Sequence, residues 1–302
     1  MSMGHVHAGE EGDFAAGKRL TLGLVLNTAF LVLEAVFGVL LGSLALLGDA
    51  AHNFSDSFAL ILSLVAVRMA TRPPTSRKTY GYHRMGILAA FINSLGITLV
   101  CFYLFYEALR RLAHPVEVAG GGMVLVAAAG FVINGGVALL LLRGREDLNV
   151  RSAFLHLFTD ALVSLGVVVS GAVIMATGWT YADPLVTMVI GLLILVSAFQ
   201  ILRESTHILM ESVPAGVDYM EILEDIREHP GVRDVHDLHI WEIGSRQYSL
   251  SAHVVVEDVP VSEAQEIASR IKEMLLNRYH VVHSTLELES EPCSPGEICS
   301  FE

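Results

Sequence analysis

Charged side chains are scarce in this sequence. Of its 302 residues, 17% are Asp, Glu, Lys or Arg, against about 25% in typical globular proteins. Apolar residues make up 53% of the chain, and its mean hydropathy is +0.56. This composition excludes an ordinary soluble domain and indicates a membrane protein.

The sequence also has few positively charged residues and few cysteines, and it has no phosphate-binding loop motif. The net charge of −13 argues against a nucleic-acid partner, because a phosphate backbone requires a basic footprint. The three cysteines, Cys101, Cys293 and Cys299, are too few and odd in number for a disulfide framework. No Gly-x-x-x-x-Gly-Lys-Ser/Thr motif occurs, so ATP is not expected to be the direct energy source. The N-terminus, with His5 and His7, lacks the build of a cleaved signal peptide.

The apolar residues form six runs, each close to the roughly 20 residues that cross a bilayer. They lie at about Leu20–Leu41, Ser43–Met69, Gly86–Leu109, Gly122–Leu142, Asn149–Ala176 and Pro184–Leu202. With the N-terminus in the cytoplasm, eleven Lys and Arg side chains fall on the inner side and two, Arg110 and Arg111, on the outer side. This positive-inside bias predicts that both termini are cytoplasmic.

The sequence pattern changes from Glu211 onward, where most of the acidic residues lie. Apolar spacing there predicts a helix, two strands, a second helix capped by Ser262, and a third strand. The predicted bounds are Val217–Glu228, Val232–Ile243, Gln247–Val256, Ser262–Tyr279 and Val281–Glu289. About 80 residues in this order form a small α+β layer with one core.

One short pattern occurs twice within the apolar runs: His52 with Asp56, and His156 with Asp160, each pair four residues apart. On a helix this spacing puts both side chains on one face. Since the second span enters from the outer side and the fifth from the inner side, both pairs are predicted roughly 10–14 Å deep, near the bilayer midplane. The plainer alternative is that each pair hydrogen-bonds within the bundle and only packs helices.

A divalent metal would explain the repeated pattern. Ionisable groups at this depth cost about 2.5 to 3.5 kcal/mol each, and neighbouring carboxylates repel one another. Two carboxylates and two imidazoles neutralise and enclose a divalent cation, and four N and O ligands in a tetrahedron suit Zn²⁺ better than Mg²⁺. The sequence therefore predicts a transport site for metal built from His52, Asp56, His156 and Asp160.

Proton exchange follows from the same residues. Imidazole binds metal only when neutral, so protons and metal compete for His52 and His156. Metal would enter from the cytoplasm, and protons taken from outside would displace it. Asp49, three residues before His52, is a candidate proton relay or gate. Other polar side chains in the runs are expected to form hydrogen bonds between helices. They are Asn27, Glu34, Asn53, Asn93 and Asn134.

Four stretches of the sequence are distinctive. They are Gly48-Asp-Ala-Ala-His-Asn-Phe-Ser-Asp56, Leu148-Asn-Val-Arg-Ser-Ala-Phe-Leu-His156 with Asp160, Ala182-Asp-Pro184 and His236-Asp-Leu-His-Ile-Trp241. Together they resemble the motifs of the cation diffusion facilitator family. The resemblance spans about residues 18 to 290 and implies a homodimer that exports divalent metal in exchange for protons. A histidine at the position of His52 resembles the zinc-preferring branch of the family. The loop Arg143–Asn149 is short and has no histidine, which points to a compact bacterial form. Such a protein would be located in the inner or plasma membrane.

The fold expected from the pattern and the resemblance is an α-helical membrane bundle of six transmembrane helices plus a C-terminal α+β ferredoxin-like cytoplasmic domain. Residues 1–17 are predicted to be a flexible His-containing arm and 18–208 the transmembrane domain. Residues 209–290 are predicted to be the cytoplasmic metal-binding domain and 291–302 a Cys-containing tail.

Several histidines fall on the predicted strands. Even spacing keeps side chains on one face of a strand, so His283 and Glu289 can face the same way, and the hairpin brings His236 and His253 towards one end. These four side chains are a chemically reasonable zinc set, and the resembled family binds zinc at these positions. His239 faces away from His236 by strand parity and is expected to be structural. The alternative is that all are ordinary surface histidines.

Two weaker features involve the termini and the basic segment Arg72–Arg84. In some animal relatives, a His/Cys arm reaches the C-terminal cysteines of the neighbouring protomer. An additional metal site is therefore a hypothesis for His5, His7, Cys293 and Cys299. The basic segment can be a positive-inside anchor, a contact with anionic lipid or a contact with the partner protomer.

These observations together predict a zinc/proton antiporter, not an enzyme, in which Zn²⁺ is both substrate and regulatory ligand and protons are the counter-ion. Zinc would neutralise the acidic cytoplasmic domains of a dimer and draw them together. A membrane metalloenzyme and a metal-sensing receptor are the alternatives. The first is disfavoured because a catalytic zinc usually keeps an open coordination position.

Overall fold

The computed structural model describes residues 28–141, 148–244 and 247–292. The chain forms two compact units. One contains the residues up to Ile61 together with Ile92–Ile201, and the other contains Leu62–Phe91 together with the residues from Leu202 onward.

Six helices make up the first part of the described chain. They are α1, described from Thr28 to Leu40, α2 (Leu44–Ala70), α3 (Met85–Ala113), α4 (Gly120–Leu141), α5 (Leu148–Thr177) and α6 (Ala182–Leu209). Among the described residues, α2 to α6 are long and apolar enough to cross a membrane, and α1 is apolar but shorter. The predicted helical membrane domain is thus confirmed, although Leu20, the predicted start of the first span, lies outside the described residues.

The start of α2 is bound to the start of α6. Helix α2 follows a tight turn at Gly42, whose φ of 68° favours glycine. The first N–H groups of a helix have no partner within it, and here the carboxylate of Asp183 supplies one. It accepts hydrogen bonds from Ser43 Oγ at 2.6 Å and from the backbone N–H of Leu44 and Ala45 at 2.8 and 3.1 Å. This cap fixes where α2 begins.

Helices α4 and α5 approach closely at glycines. A Cβ atom on Gly120 would lie 2.8 Å from the carbonyl oxygen of Gly171, and one on Gly171 would lie 3.0 Å from the carbonyl oxygen of Gly120. Small residues allow membrane helices to pack with their backbones in contact. The helix that carries His156 and Asp160 is therefore held tightly against its neighbour.

Apolar side chains of α2 to α6 form the core of the first unit. The buried members are Ala45, Leu46, Ile97, Cys101, Met123, Val126, Ala127, Val163, Val167, Ile174, Ala182, Ile190, Ile194 and Ala198. Polar side chains are buried beside them. These include Glu34, Asp49, Asn53, Asp160 and Ser164. Because buried polar groups need partners, their contacts locate the candidate site.

The C-terminal part contains a three-stranded sheet and two helices. Its elements are α7 (Tyr219–Arg227), β1 (Val232–Gly244), β2 (Gln247–Val256), α8 (Val261–Tyr279) and β3 (Val281–Glu289). Strand β2 is central, antiparallel to β1 and parallel to β3. Helix α8 provides the crossover that parallel neighbours require. The predicted order of helices and strands is confirmed.

The helices of this part pack their apolar faces on the sheet and are joined to each other by polar contacts. Ile222 and Ile226 of α7 and Ile271 and Leu275 of α8 belong to its core. Their partners include Val235, Leu238, Ile240, Leu250, Ala252 and Val254 of the sheet. Tyr279 donates a hydrogen bond to Asp225 at 2.5 Å. Burial, together with this carboxylate, raises the pKa of Tyr279 above its usual value.

The two helices of this part begin differently, and the second differs from the sequence prediction. Helix α7 is capped by Asp218, which accepts from the N–H groups of Met220 and Glu221 at 2.9 and 3.3 Å. The prediction that Ser262 caps α8 is wrong, because the cap position is Pro260 and makes no side-chain hydrogen bond. Proline's fixed φ suits a helix start without a polar cap.

The basic segment Arg72–Arg84 contacts the C-terminal part of its own chain, within the second unit. Arg84 forms an ion pair with Glu211 at 2.9 Å. The ring of Tyr80 meets the ring of His283 edge-on, with centroids 5.7 Å apart. None of the three sequence interpretations of this segment anticipated an intramolecular contact.

Candidate metal sites

The two membrane motifs occupy matching positions in α2 and α5. His52 is the eighth residue after Leu44, and His156 is the eighth after Leu148. At about 1.5 Å per residue, each imidazole lies about 12 Å from the start of its helix. The aspartate of each motif follows one turn later on the same face.

The structure brings the four side chains together, and each imidazole faces both carboxylates. In His52, Nε2 is 3.2 Å from Asp160 Oδ1 and Nδ1 is 3.7 Å from Asp56 Oδ2. In His156, Nε2 is 3.7 Å from Asp56 Oδ2 and 3.6 Å from Asp160 Oδ2. The four groups form a closed ring of alternating imidazole and carboxylate.

These separations suit a divalent cation. In a tetrahedral site with zinc bonds of about 2.0–2.1 Å, neighbouring ligand atoms are about 3.3 Å apart. Ligand atoms of His52, Asp56 and Asp160 lie within 4.8 Å of one another. Asp56 Oδ2 is buried and accepts no hydrogen bond from the described residues. A buried carboxylate oxygen without a donor, set between two imidazoles, favours a cation.

The site is closed on one side and open on the other. The Asp160 side chain is 5% exposed, whereas that of His156 is 52% exposed. The side chains of His52 and Asp56 lie between these extremes, at 19% and 31%. A metal ion therefore has its most direct access at His156.

Hydrogen bonds link the polar side chains around this site. Asn53 Nδ2 on α2 donates to Glu34 Oε2 on α1 at 2.8 Å, and Asn93 Nδ2 on α3 donates to Ser55 Oγ on α2 at 3.1 Å. These bonds confirm the predicted interhelical role of the three side chains. Asn27 lies outside the described residues.

Asp49, the candidate relay, lies in the interior one helical turn before His52. Its residue exposure is 0%, and Ser164 Oγ on α5 donates a hydrogen bond to its Oδ2 at 2.9 Å. Asp49 is therefore bound to the same helix that carries His156 and Asp160.

A second cluster lies on the C-terminal sheet. His236 and His253 are directly paired across β1 and β2, with ring centroids 5.2 Å apart. Glu289, at the end of β3, contacts both. Its Oε1 is 2.6 Å from His253 Nδ1 and its Oε2 is 3.4 Å from His236 Nε2. Two imidazoles and a carboxylate at these distances are suitable zinc ligands.

The structure does not bring His283 to this cluster. His283 pairs with Ser249, whereas Glu289 pairs with Val255. Six residues of strand span about 20 Å, so the two side chains share a strand parity but lie far apart. Instead, the ring of His283 packs against Tyr80. The sequence prediction considered only which face of the strand His283 and Glu289 share, and not how far apart they lie along it.

Two carboxylates near His253 were missed by the sequence analysis. Glu287 is paired with His253 across β2 and β3, and its Oε2 lies 3.7 Å from His253 Nε2. Asp237 Oδ2 also lies 3.7 Å from His253 Nε2. Parity could have identified Glu287, which is two residues from Glu289. Asp237 sits in a register shift between β1 and β2 with a φ of 50°, which sequence spacing does not reveal.

His239 lies beyond that register shift. Its Nε2 is 3.0 Å from Asp237 Oδ1, and it pairs with Ser251 rather than with a member of the cluster. The remaining candidates of the sequence analysis, His5, His7, Cys293 and Cys299, lie outside the described residues, so their metal site stays a prediction.

Comparison with known proteins gives a consistent assignment for nearly the whole chain. Residues 20–210 match the family model for the cation efflux transmembrane domain. Residues 214–291 match the model for the cation efflux protein cytoplasmic domain.

Two curated relatives align along most of their length. The "Cadmium, cobalt and zinc/H(+)-K(+) antiporter" of Bacillus subtilis is 38% identical over 293 residues, covering 96% of this chain and 93% of the relative. "Zinc transporter ZitB" of Escherichia coli is 37% identical over 279 residues, covering 91% and 88%.

A solved structure, the "Metal-bound C-terminal domain of the CzcD transporter from Cuprividus metallidurans", is 37% identical to the part of this chain that it matches. It covers 24% of this chain and 99% of its own, with a TM-score of 0.23. The two family models together span both parts of the chain. This chain therefore belongs to the cation efflux family, also called the cation diffusion facilitator family, whose members are transporters and not enzymes.

Proposed function

We propose that this chain exports zinc from the cytoplasm in exchange for protons. The observation that carries the proposal is the ring of two imidazoles and two carboxylates formed where the motifs of α2 and α5 meet. Ionisable groups within membrane helices generally mark ion pathways. Relatives named as zinc transporters and as a zinc/proton antiporter support the choice of substrate and counter-ion.

The ligand chemistry favours zinc but accepts similar ions. Two carboxylates balance the charge of a divalent cation, and two imidazoles complete a four-coordinate shell. Cadmium, cobalt and nickel also bind such N and O ligands. A relative named for cadmium, cobalt and zinc supports this wider range. We therefore propose zinc as the main substrate of the site.

Protons exchange with metal at the same side chains. When metal is bound, both imidazoles are neutral ligands. When metal leaves, a protonated His52 is stabilised by Asp160 at 3.2 Å and Asp56 at 3.7 Å, so the positive charge in the ring is retained. Protonation from one side and metal binding from the other give antiport without a phosphorylated intermediate. Asp49, held by Ser164, is the proposed relay or gate for these protons.

The proposed arrangement in the membrane follows the positive-inside bias. Six spans within residues 18–208 leave both termini in the cytoplasm, and residues 209–290 form the cytoplasmic domain. The order α7–β1–β2–α8–β3 supports a ferredoxin-like fold for that domain. The match to a family model for the cytoplasmic domain supports the homodimer implied by the sequence resemblance.

The cytoplasmic cluster is proposed to regulate transport. His236, His253 and Glu289 would hold zinc, with Glu287 or Asp237 near enough to complete the set. His283 is not part of the proposed set. Since the chain carries a net charge of −13, zinc bound here would lower the repulsion between two cytoplasmic domains and favour their approach.

Zinc uptake into sealed proteoliposomes under an imposed pH gradient tests the proposed function. Asp56→Asn and Asp160→Asn keep side-chain volume but remove a ligand charge, so each should reduce uptake by at least about tenfold. Glu117→Gln removes an exposed carboxylate between α3 and α4 and should transport normally. Normal uptake by a folded Asp160→Asn protein would refute the shared metal site.

A further inference from the structure

Two more carboxyl groups lie in the interior of the membrane domain and are not part of the proposed ligand ring. They belong to Glu34 on α1 and Asp49 on α2, and both residues are 0% exposed. Asp49 lies one helical turn before His52. Buried acidic side chains within membrane helices require charge compensation, so the contacts of these two show how they are stabilised.

Each of the two carboxyl groups receives one hydrogen bond from a neutral donor. Asn53 Nδ2 donates to Glu34 Oε2 at 2.8 Å, and Ser164 Oγ donates to Asp49 Oδ2 at 2.9 Å. The other oxygens, Glu34 Oε1 and Asp49 Oδ1, are buried and receive no hydrogen bond from a donor group among the described residues. Asn53 follows Asp49 by four residues on α2, and the two share a face of that helix, so the Glu34 carboxyl group that Asn53 holds lies beside that of Asp49.

Two facing carboxylates cannot both be ionised without strong repulsion. A single proton removes it, because a carboxylic acid then donates an O–H···O⁻ hydrogen bond to its carboxylate partner. Asn53 and Ser164 each donate to one oxygen of a carboxyl group, which leaves Glu34 Oε1 and Asp49 Oδ1 available to share the proton. The arrangement differs from the ligand ring, where imidazoles face each carboxylate.

We propose that Glu34 and Asp49 hold one exchangeable proton between them and release it when a divalent cation binds at the adjacent ligand ring. The proposal rests on the metal site put forward above and adds a second proton store beside it. The titratable neighbours of the pair are His52, one turn after Asp49 on α2, and Asp160, one turn before the Ser164 that holds Asp49. Both are proposed ligands, so the pair responds to what the ring holds.

The direction of the coupling follows from charge. A divalent cation in the ring adds positive charge close to the pair and favours its fully ionised form, so the proton leaves as metal binds. When the proton returns, the Glu34–Asp49 pair becomes less negative, and the ligand ring beside it then binds the metal more weakly. By linkage, the bound metal lowers the affinity of the pair for the proton, and the bound proton lowers the affinity of the ring for the metal by the same factor. The pair would thus add a proton to each transport cycle beyond those exchanged at the imidazoles.

Proton release on zinc binding tests the proposal directly. The intact protein is titrated with zinc by calorimetry, in detergent, using buffers of different ionisation enthalpy at several pH values around neutrality. Glu34→Gln and Asp49→Asn should each release up to about one proton fewer per zinc than the natural chain. The double variant should lose no more than either single variant, because one proton is shared. Glu117→Gln is the matched carboxylate control and should release the natural number.

Three results would overturn the proposal. Unchanged proton release in folded, zinc-binding Glu34→Gln and Asp49→Asn proteins would show that the pair holds no exchangeable proton. Loss of one bound zinc per chain would show that the pair binds metal. Twice the single loss in the double variant would show two independent protons. In an Asp160→Asn background, whose ring does not bind zinc, Glu34→Gln should have no effect on proton release.

Infrared difference spectroscopy of the unaltered protein avoids dependence on variants. Zinc addition should remove the band of a protonated carboxyl group, and no such loss would contradict the shared proton. Both measurements report on binding rather than transport. A protein that releases the proton but carries no zinc across a bilayer would refute the proposed function and leave the pair intact.

Discussion

His253 is the best-placed side chain of the cytoplasmic cluster. It lies on the central strand β2, paired with His236 on one side and Glu287 on the other. Its Nδ1 contacts Glu289 at 2.6 Å. Loss of this imidazole removes a ligand from the middle of the set, whereas loss of His283, at the far end of β3, removes only a ring contact with Tyr80.

We therefore expect His253→Ala to lower the zinc bound per chain by one and to reduce transport moderately without abolishing it. His283→Ala is the matched control on the same sheet and should keep the natural zinc count. Native mass spectrometry gives the count and proteoliposome uptake gives the flux. Equal zinc loss in both variants would contradict the proposed ligand set, and complete loss of flux in folded His253→Ala protein would contradict a regulatory role.

That the two membrane motifs approach each other could be predicted, because two identical spacings at matching helix positions leave little freedom; that their side chains bind metal remains a proposal. His52 and His156 were each placed about a third of the way along a span, and the structure has them at the same count from the helix starts. The contact between Glu34 and Asp49 was not predicted, since nothing in the sequence fixes the rotation of α1 against α2.

Among the elements, α2 carries most of the proposed machinery, and its position depends on a single carboxylate. Asp183 holds the first turn of α2 through three hydrogen bonds, and Arg111 lies 3.7 Å from it. Arg111 also donates a hydrogen bond to the carbonyl oxygen of Gly42. The cap is buried, so water cannot replace it.

Asp183→Ala should therefore destabilise the protein by at least about 1–2 kcal/mol, the upper part of the usual range for a lost helix cap. Asp218→Ala removes the exposed cap of α7 and should cost less, about 0.5–1 kcal/mol. Thermal unfolding in detergent, followed by circular dichroism, compares the two variants. A smaller shift for Asp183→Ala than for Asp218→Ala would contradict the role given to the buried cap.

Most element bounds were predicted to within four residues, although α6 continues seven residues beyond the predicted Leu202. The hairpin that pairs β1 with β2 was also predicted, whereas its exact register and the contacts between distant segments were not. Apolar runs fixed the spans from Ser43 to Leu202, and the change of period after Glu211 fixed the order of strands and helices. The register shift that moves Asp237 towards His253 depends on local backbone geometry, and the cap at Pro260 carries no polar signal. Contacts between distant segments, such as the ion pair of Arg84 with Glu211, could not be predicted from the spacing of residues along the sequence either.

For the molecule as a whole, the acidic cytoplasmic part is the proposed sensor of zinc. Two like-charged domains repel each other at low ionic strength, and bound zinc lowers that charge. Energy transfer between one label on each protomer reports their separation. Ser269 on α8 is exposed and offers a labelling position as Ser269→Cys, in a chain whose Cys293 and Cys299 are replaced by Ser.

Zinc should increase energy transfer in this labelled protein, because the cytoplasmic domains approach each other. The same labelled chain with His236→Ala and His253→Ala should show no increase. Salt should raise the zinc-free signal, since it screens the repulsion. An equal zinc response with and without the two imidazoles would contradict regulation through the cytoplasmic cluster.

The exchange of zinc for protons is proposed to take place at one ring of side chains, formed by His52, Asp56, His156 and Asp160. It is tested most directly by imposing a zinc gradient, with no initial pH gradient, on proteoliposomes that contain a pH indicator and have their membrane potential clamped. The lumen should become more alkaline as zinc enters, and Asp160→Asn should show neither zinc entry nor a change in lumenal pH. Zinc entry through the natural protein with a constant lumenal pH would contradict the proposed exchange.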